Sequence, residues 1–376
     1  MPASRGPGRS TRLAAPTSEQ TDLPGRGGAW LAPRLSVKMQ PVMNRFALRI
    51  TIADVARHAG VSKTTVSHVL SRKRPVSVGT RARVEEAIRE LGYRPDGVAR
   101  SLRTRTTHTV ALIIPDITNP YYPALARGLE DGLGGATYRS LICNTDRHPE
   151  REAEFLEDVC DRGVDGIVLD SFTLTGERLA ELVPPEVSLV RIGTTVIDDP
   201  GFDTVHADDE QGAFDATRHL LGRPSRRVAM IQGPPGAAPR RNEGYLRALQ
   251  SVGAPDPELV LSGEWTRSGG AAAMRRLLAL PDPPQAVFCA NDLMAFGALD
   301  AAREAGLDVP GDLAVAGFDD IEAAAMTHPP LTTVSNPAYE TGLLAGTLLK
   351  ERLLGVSSGP PRTVTLPCRL IRRATA

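Results

Sequence analysis

TIADVARHAGVSKTTVSHVL, residues 51–70, is the stretch that decides the fold at the start of the chain. Apolar residues recur in it at helical intervals on both sides of a glycine, which predicts two short helices joined by a tight turn. Thr51 and Asp54 have the spacing of a capping box at a helix start. Gly60 suits a left-handed helix end, and the hydroxyl of Ser62 can cap the second helix. We therefore expect a helix-turn-helix pair.

The outer face of the second helix is polar and is followed by a basic run at 72–74. Its outward side chains are Lys63, Thr64, Ser67 and His68. Such a face offers few apolar anchors to a protein partner and many hydrogen-bond donors to base edges and phosphates. It predicts a DNA-recognition helix, although a helix pair with hydroxyls on a merely solvated face remains the alternative. The rest of the chain decides between the two.

Charge is distributed unevenly along the 376 residues, although 44 basic and 44 acidic side chains cancel overall. Residues 49–105 contain 13 Lys or Arg and 5 Asp or Glu, whereas residues 106–376 contain 24 and 37. A basic end on an acidic body is what a nucleic-acid binder needs if only one end is to contact phosphates.

Four cysteines are spread along the chain without a CxxC pair or a nearby ligand cluster. They are Cys143, Cys160, Cys289 and Cys368. We therefore expect no zinc site, no disulfide framework and no cofactor, and a reducing cytoplasm fits this usage. No apolar run is long enough to cross a membrane, and the N-terminus has no secretory signal.

Changes in composition divide the chain. Residues 1–48 are rich in Arg, Pro, Gly and Ser and are expected to form a disordered tail, or to precede a later true start at Met39 or Met43. Residues 49–94 form the predicted helix-turn-helix headpiece, with a third helix opened by Ser77. Residues 95–106 are expected to form a short hinge helix and linker.

From residue 107 to 376 apolar strands alternate with amphipathic helices, which predicts parallel sheets covered on both faces. This stretch is too long for one sheet, so we expect two doubly wound lobes with a cleft between them. Strands are predicted at 110–114, 141–143, 166–169, 189–192, 228–231, 286–289 and 313–316. Helices are predicted at 124–133, 150–162, 212–221, 243–251, 269–280 and 293–305.

Six motifs in order give the chain a resemblance to the LacI/GalR family of bacterial transcription regulators. They are the stretch at 51–70, GYRPDGVARSL at 92–102, IIPDITNPYY at 113–122, GVDGIVL at 163–169, ANDLMAFGAL at 290–299 and VAGFDDIEAAAMTHPPLTTV at 315–334. The resemblance implies an all-α helix-turn-helix headpiece and an α/β two-lobed body like the periplasmic binding proteins. We expect an N-lobe at 107–205 with 320–335 and a C-lobe at 206–319 with 336–376.

The same resemblance assigns roles in DNA binding. Lys63, Thr64 and His68 would read the major groove, in a histidine-bearing form similar to the recognition helix of the purine repressor. Ser62, Thr65 and Ser67 would contact phosphates or cap the helix. Val98, Ala99 and Leu102 would enter the minor groove as a symmetric pair, with Leu102 wedged between base pairs at the cost of unstacking. The alternative for Leu102 is packing against its own headpiece.

An effector site is implied in the body. By resemblance, Arg241 and Asp292 are the polar contacts, and Tyr121, Tyr122 and Trp265 are the aromatic walls. An Arg and an Asp facing each other across an apolar pocket suit vicinal hydroxyls or the edge of a heterocycle. The alternatives are packing for Tyr121, a surface ion pair for Arg241 and a core position for Trp265.

The resulting prediction is a cytoplasmic, homodimeric DNA-binding regulator, a repressor that binds a pseudo-palindromic operator under the control of a sugar or sugar derivative. A purine-like corepressor is the alternative effector, and a solute-binding protein is the alternative function. An enzyme is not expected, because GPPG at 233–236 lacks both a GxGxxG pattern and a P-loop Lys-Ser/Thr. The lack of a leucine-heptad tail after Leu370 favours a dimer over a tetramer.

Overall fold

The computed structural model describes residues 50–72, 74–94, 101, 106–135, 137–171, 174–193, 201–222, 227–235, 238–250, 252–253 and 256–376. The chain divides into two compact units, Met1–Arg94 and Pro95–Ala376. The expected tail at 1–48 and the expected hinge residues Val98, Ala99 and Leu102 lie outside the described residues.

In the described part of the first unit, three helices pack around a small apolar core. They are α1 (Ile52–His58), α2 (Lys63–Ser71) and α3 (Val78–Leu91). Asp54 accepts a hydrogen bond from the Thr51 amide at 2.9 Å, which holds the start of α1 as the capping box predicts. Val55, Val66 and Val84, one from each helix, are fully buried together. This packing fixes the outer face of α2.

A six-stranded parallel sheet organises the first lobe of the second unit. Its strands are β1 (Thr109–Ile114), β2 (Arg139–Asn144), β3 (Gly166–Asp170), β4 (Ser188–Ile192), β5 (Asp203–Ala207) and β11 (Thr363–Leu366), in the order β11-β5-β4-β3-β1-β2. Helices α4 (Tyr121–Leu133) and α11 (Ala338–Leu353) contribute to one core, and α5 (Pro149–Asp161) and α6 (Gly176–Leu182) to another. Successive residues of β1 alternate between the two cores, as expected of a strand covered on both faces.

A second parallel sheet organises the other lobe, in the order β7-β6-β8-β9. Its strands are β6 (Val228–Gln232), β7 (Val260–Ser262), β8 (Ala286–Cys289) and β9 (Ala314–Ala316). The accompanying helices are α7 (Asp209–Leu221), α8 (Pro239–Gln250), α9 (Arg267–Leu278) and α10 (Asp292–Glu304). A short antiparallel pair, β10 (Thr333–Ser335) with β12 (Arg369–Ile371), completes this lobe.

The predicted assignment of the late segments to the lobes was wrong. Residues 320–335 belong to the second lobe, where Leu331 and Val334 join its core and Thr332 bridges to Ala316. Helix α11 and strand β11 belong instead to the first lobe. The chain therefore passes between the lobes three times. It enters the second lobe after β5, returns to the first lobe after β10, and enters the second lobe again after β11 to form β12.

Helices α4 and α11 cross with their backbones in close contact. A Cβ atom added to Gly342 would lie 2.0 Å from the carbonyl oxygen of Leu125, and one added to Gly128 would lie 2.0 Å from that of Tyr339. Only glycine fits at these two positions. None of the helices in the described part of the chain is long and apolar enough to cross a membrane.

Candidate functional site

The polar outer face predicted on α2 is turned away from the core of the headpiece. Lys63 and Thr64 are exposed and His68 is half-buried, whereas Val66 and Val69 point into the core. The hydroxyl of Ser62 accepts the Thr65 amide at 3.1 Å and therefore caps the helix. The face thus presents a cation, a hydroxyl and an imidazole.

The body contains a cleft that encloses about 660 Å³, including space open to solvent. Its lining comes from the carboxyl ends of parallel strands in both sheets, where ligands bind in folds of this kind. Tyr121, Tyr122, Arg241 and Trp265, all predicted from the sequence, line it.

Arg241 lies at the centre of the second-lobe wall and is held by two carboxylates. Its Nε atom donates to Asp209 at 3.0 Å, and its Nη2 atom lies 3.3 Å from Asp319. Its guanidinium carbon lies 3.8 Å from the ring centroid of Phe318 and 6.0 Å from that of Trp265. The planar cation is therefore fixed at its edge by charge and at its faces by rings.

The first-lobe wall is aromatic with a buried acid behind it. The rings of Tyr121 and Tyr122 meet edge to face at 5.2 Å between centroids. The Tyr122 hydroxyl donates to Asp170 at 2.9 Å. Each lobe thus supplies aromatic rings and at least one carboxylate.

Burial raises the pKa values of the carboxyl groups in the cleft. It raises the pKa of Asp170 to about 7, although the hydrogen bond from Tyr122 opposes the shift. It also raises the pKa of Asp319 to about 6 and raises the pKa of Asp209, in both cases against the attraction of Arg241. For Arg241, burial opposes the charged form, but Asp209 and Asp319 outweigh it and raise its pKa.

The structure does not place Asp292 where the sequence predicted it. This side chain is fully buried, accepts hydrogen bonds from the Ile321 amide and the Thr333 hydroxyl, and is absent from the lining of the cleft. Its neighbour Asn291 lines the cleft instead. The predicted opposition of Arg241 and Asp292 was therefore wrong, because the carboxylates that meet Arg241 are Asp209 and Asp319.

Two family models match the chain. The model described as "Bacterial regulatory proteins, lacI family" matches residues 51–96, and the "Periplasmic binding protein-like domain" matches residues 217–376. The ribose operon repressor of Escherichia coli K12 is 40% identical over 308 residues, which cover 81% of this chain and 93% of the repressor. The chain belongs to the LacI family. The repressor CytR of the same organism is 36% identical over 331 residues, covering 86% of this chain and 96% of CytR.

Solved structures of other LacI-family regulators have the same fold. The lac repressor dimer bound to operator and an anti-inducer matches with a TM-score of 0.77 at 26% identity, over 87% of this chain and 98% of that one. A regulator from Enterococcus faecium with bound ribose matches with a TM-score of 0.64 at 28% identity, over 71% and 98%. The predicted family, its two-part fold and its function as a DNA-binding transcription regulator are confirmed.

Both of these relatives, the ribose operon repressor and CytR, are transcriptional repressors rather than enzymes. Within the described residues no group of three or more His, Cys, Asp or Glu side chains could hold a metal ion. Gly233, from the GPPG run, packs against the indole of Trp265, since an added Cβ would lie 2.2 Å from that ring. This close approach explains the glycine without a phosphate-binding role.

Proposed function

We propose that the protein is a homodimeric transcriptional repressor whose operator affinity is controlled by a sugar or sugar derivative bound in the cleft. The proposed class of effector rests on one observation. Arg241, Asp209 and Asp319 lie together in a cleft whose lining also includes Trp265 and Tyr121. Carboxylates and a guanidinium bind vicinal hydroxyls, while aromatic rings cover the apolar face of a pyranose or furanose. As a regulator that acts on DNA, the protein is proposed to work in the cytoplasm.

Relatives support a sugar effector. They include the ribose operon repressor, the ribose-bound regulator from Enterococcus faecium and a CelR–cellobiose complex that matches with a TM-score of 0.66 at 32% identity, over 87% of this chain and all of that one. We propose that the ligand draws the lobes together and so shifts the population of DNA-competent hinges.

For DNA binding, we propose that Lys63, Thr64 and His68 read base edges in the major groove. Because Ser62 and Thr65 hydrogen bond to each other at the start of α2, capping is their first role. Ser67 is proposed to contact a phosphate. Val98, Ala99 and Leu102 keep their proposed role in the minor groove.

A second copy of the chain is the proposed occupant of a groove on the second lobe. The groove encloses about 1140 Å³ and is lined by apolar side chains, among them Phe296, Leu299, Val309 and Met326, and by the charged side chains of Arg267, Asp300, Arg303 and Asp308. Met326 is 71% exposed, and a second copy seated in the groove would cover it. The dimeric lac repressor, which shares the fold, supports a symmetric pairing.

The test uses the full-length protein and an operator selected from random duplexes. Fluorescence anisotropy of this operator would be measured with D-ribose, D-glucose, D-cellobiose and adenine in turn. A change of operator affinity by a sugar is expected. A response to adenine alone would favour the purine-like alternative, and no response to any sugar in a wider panel would contradict the proposed effector class.

A further inference from the structure

Negative charge exceeds positive charge in the cleft. Three buried carboxylates line it, namely Asp170, Asp209 and Asp319, and the lining cations are Arg147 and Arg241. The charge of each cation is already balanced by protein carboxylates. Arg241 is held by Asp209 and Asp319, and Arg147 pairs with Asp116 at 2.8 Å.

Asp170 is the carboxylate without a cationic partner. Its hydrogen-bond donor is the Tyr122 hydroxyl, and no lysine or arginine in the described ranges forms an ion pair with it. Its other oxygen lies beside Gly193, where an added Cβ would be 2.8 Å away. Gly193 also lines the cleft and has a φ of +94°, a conformation that glycine adopts without strain. The second carboxylate oxygen is therefore kept free of a covering side chain.

Two buried side chains of the cleft lining carry a polar atom without a hydrogen-bond partner among the described residues. They are the amide oxygen of Asn336, which accepts, and the hydroxyl of Thr341, which can donate or accept. The amide nitrogen of Asn336 already donates to Asp319 at 3.1 Å. A site of carboxylate and amide oxygens is completed by a ligand that brings donors. Hydroxyl and ammonium groups donate, whereas phosphate and carboxylate groups at neutral pH bring acceptors.

We infer that the effector is a neutral or amino-bearing polyol and that the cleft rejects phosphorylated and acidic sugars. This inference rests on the proposed function and narrows its ligand class. An acidic group would be buried beside Asp170, which has no cationic partner among the described residues, and such repulsion is one way in which binding sites gain specificity. An ammonium group would pair with Asp170. Burial raises the pKa of Asp170 to about 7, and neighbouring acids add to the shift, so its ionised form is costly in the cleft unless a ligand cation pairs with it.

Matched ligand pairs test the inference on the full-length dimer by calorimetry. The pairs are D-ribose with D-ribose 5-phosphate, D-glucose with D-glucose 6-phosphate, and D-glucosamine with D-glucuronate. The neutral or amino member of a pair should bind at least about 100-fold more tightly than its acidic counterpart. An acidic member that binds as tightly would overturn the inference, and so would the failure of every neutral and amino sugar to bind.

Charge-removal variants locate the effect. Asp170→Asn keeps the shape of the side chain and should reduce the preference against the acidic partner by about tenfold. Asp158→Asn, on an exposed helix face outside the cleft, is the matched control and should leave the preference unchanged. If the wild type and Asp170→Asn show the same affinity ratio between a neutral sugar and its acidic counterpart, Asp170 does not contribute to the rejection of acidic sugars. A sugar that binds with this selectivity but leaves operator affinity unchanged would contradict the proposed function while supporting the charge inference.

Discussion

Two neighbouring residues at the start of α10 have different contacts, and the difference separates their roles. Asn291 caps the helix by accepting the Met294 amide at 2.8 Å and lines the cleft, whereas Asp292 is turned into the interior. The sequence order ANDLM places both after a strand but does not say which one faces the ligand. Sequence reasoning therefore found the correct loop and chose the wrong residue.

Asp292→Ala is expected to destabilise the body rather than to abolish ligand binding directly. The substitution leaves the Ile321 amide and the Thr333 hydroxyl buried without their acceptor. The free energy of unfolding should fall by about 2 kcal/mol, measured by urea denaturation. Asp282→Ala, whose side chain is 73% exposed, is the control and should change stability by less than about 0.5 kcal/mol. An unchanged urea midpoint with a lost effector response would restore Asp292 as a ligand contact.

His68→Ala tests base recognition by the headpiece. His68 is half-buried on the outer face of α2, so its removal should disturb the core little. Operator binding should weaken by about 1 to 3 kcal/mol, while binding to a scrambled duplex of equal length stays nearly the same. Anisotropy titrations at one salt concentration compare the two duplexes. An equal loss on both would assign His68 to the phosphate backbone.

At the scale of elements, the strands and helices that could be predicted are those with strong apolar periodicity. The seven predicted strands overlap strands of the structure, because buried parallel strands are continuous apolar runs. Helices α6 and α11 and strands β5, β7, β10, β11 and β12 were not predicted. β11 lies at the edge of its sheet and alternates between exposed and half-buried residues, so it carries no apolar run. β5 is buried throughout, but its sequence DTVHA contains an aspartate and a histidine and likewise carries no apolar run.

The close crossing of α4 and α11 gives an element-scale prediction. In Gly342→Ala the new methyl group would meet the backbone oxygen of Leu125 at 2.0 Å, and a helix backbone cannot move aside as a flexible side chain can. The free energy of unfolding should fall by about 3 kcal/mol, as for an overpacked core. Gly359→Ala is the matched control, because an added Cβ there meets nothing within 4 Å. Equal urea midpoints for the two variants would contradict the tight crossing.

At the scale of the whole molecule, the proposed dimer depends on the groove that contains Met326. Met326→Asp places a charge in this groove, and burying an unpaired charge in an interface costs more than the contact contributes. The variant should sediment as a monomer at micromolar concentration and bind the operator far more weakly. Val356→Asp, at a site that is 74% exposed and outside the groove, should remain a dimer. A dimeric Met326→Asp would move the interface elsewhere.

Buried carboxyl groups in two parts of the body make its stability respond to pH in opposite directions. One is Asp203, and the others are the carboxyl groups of the cleft. Asp203 is bound by Arg352 at 2.8 Å and by Arg362 at 2.9 Å. Burial alone would raise its pKa, but these hydrogen bonds outweigh burial and lower the pKa to about 2. Its stabilisation is therefore complete above the ordinary pKa of an aspartate and is lost as pH falls from about 4 to 2. In the cleft, burial raises the pKa of Asp170 to about 7 and that of Asp319 to about 6.

For the cleft carboxylates the sign is reversed, because ionisation costs more in the folded state than in the unfolded state. Their penalty is absent below about pH 4, grows as pH rises, and is complete above about pH 7. The urea midpoint should therefore rise from pH 8 to pH 5 and fall below pH 4. Relative to the wild type, Asp170→Asn should raise the free energy of unfolding by about 2 kcal/mol at pH 8 and change it little at pH 4. Asp203→Asn should lower the free energy of unfolding at neutral pH and should lose less stability than the wild type as pH falls below 4. An Asp170→Asn profile that runs parallel to the wild type would show that this carboxylate ionises in the cleft without cost, and the surplus of negative charge inferred there would then have to be balanced by another group.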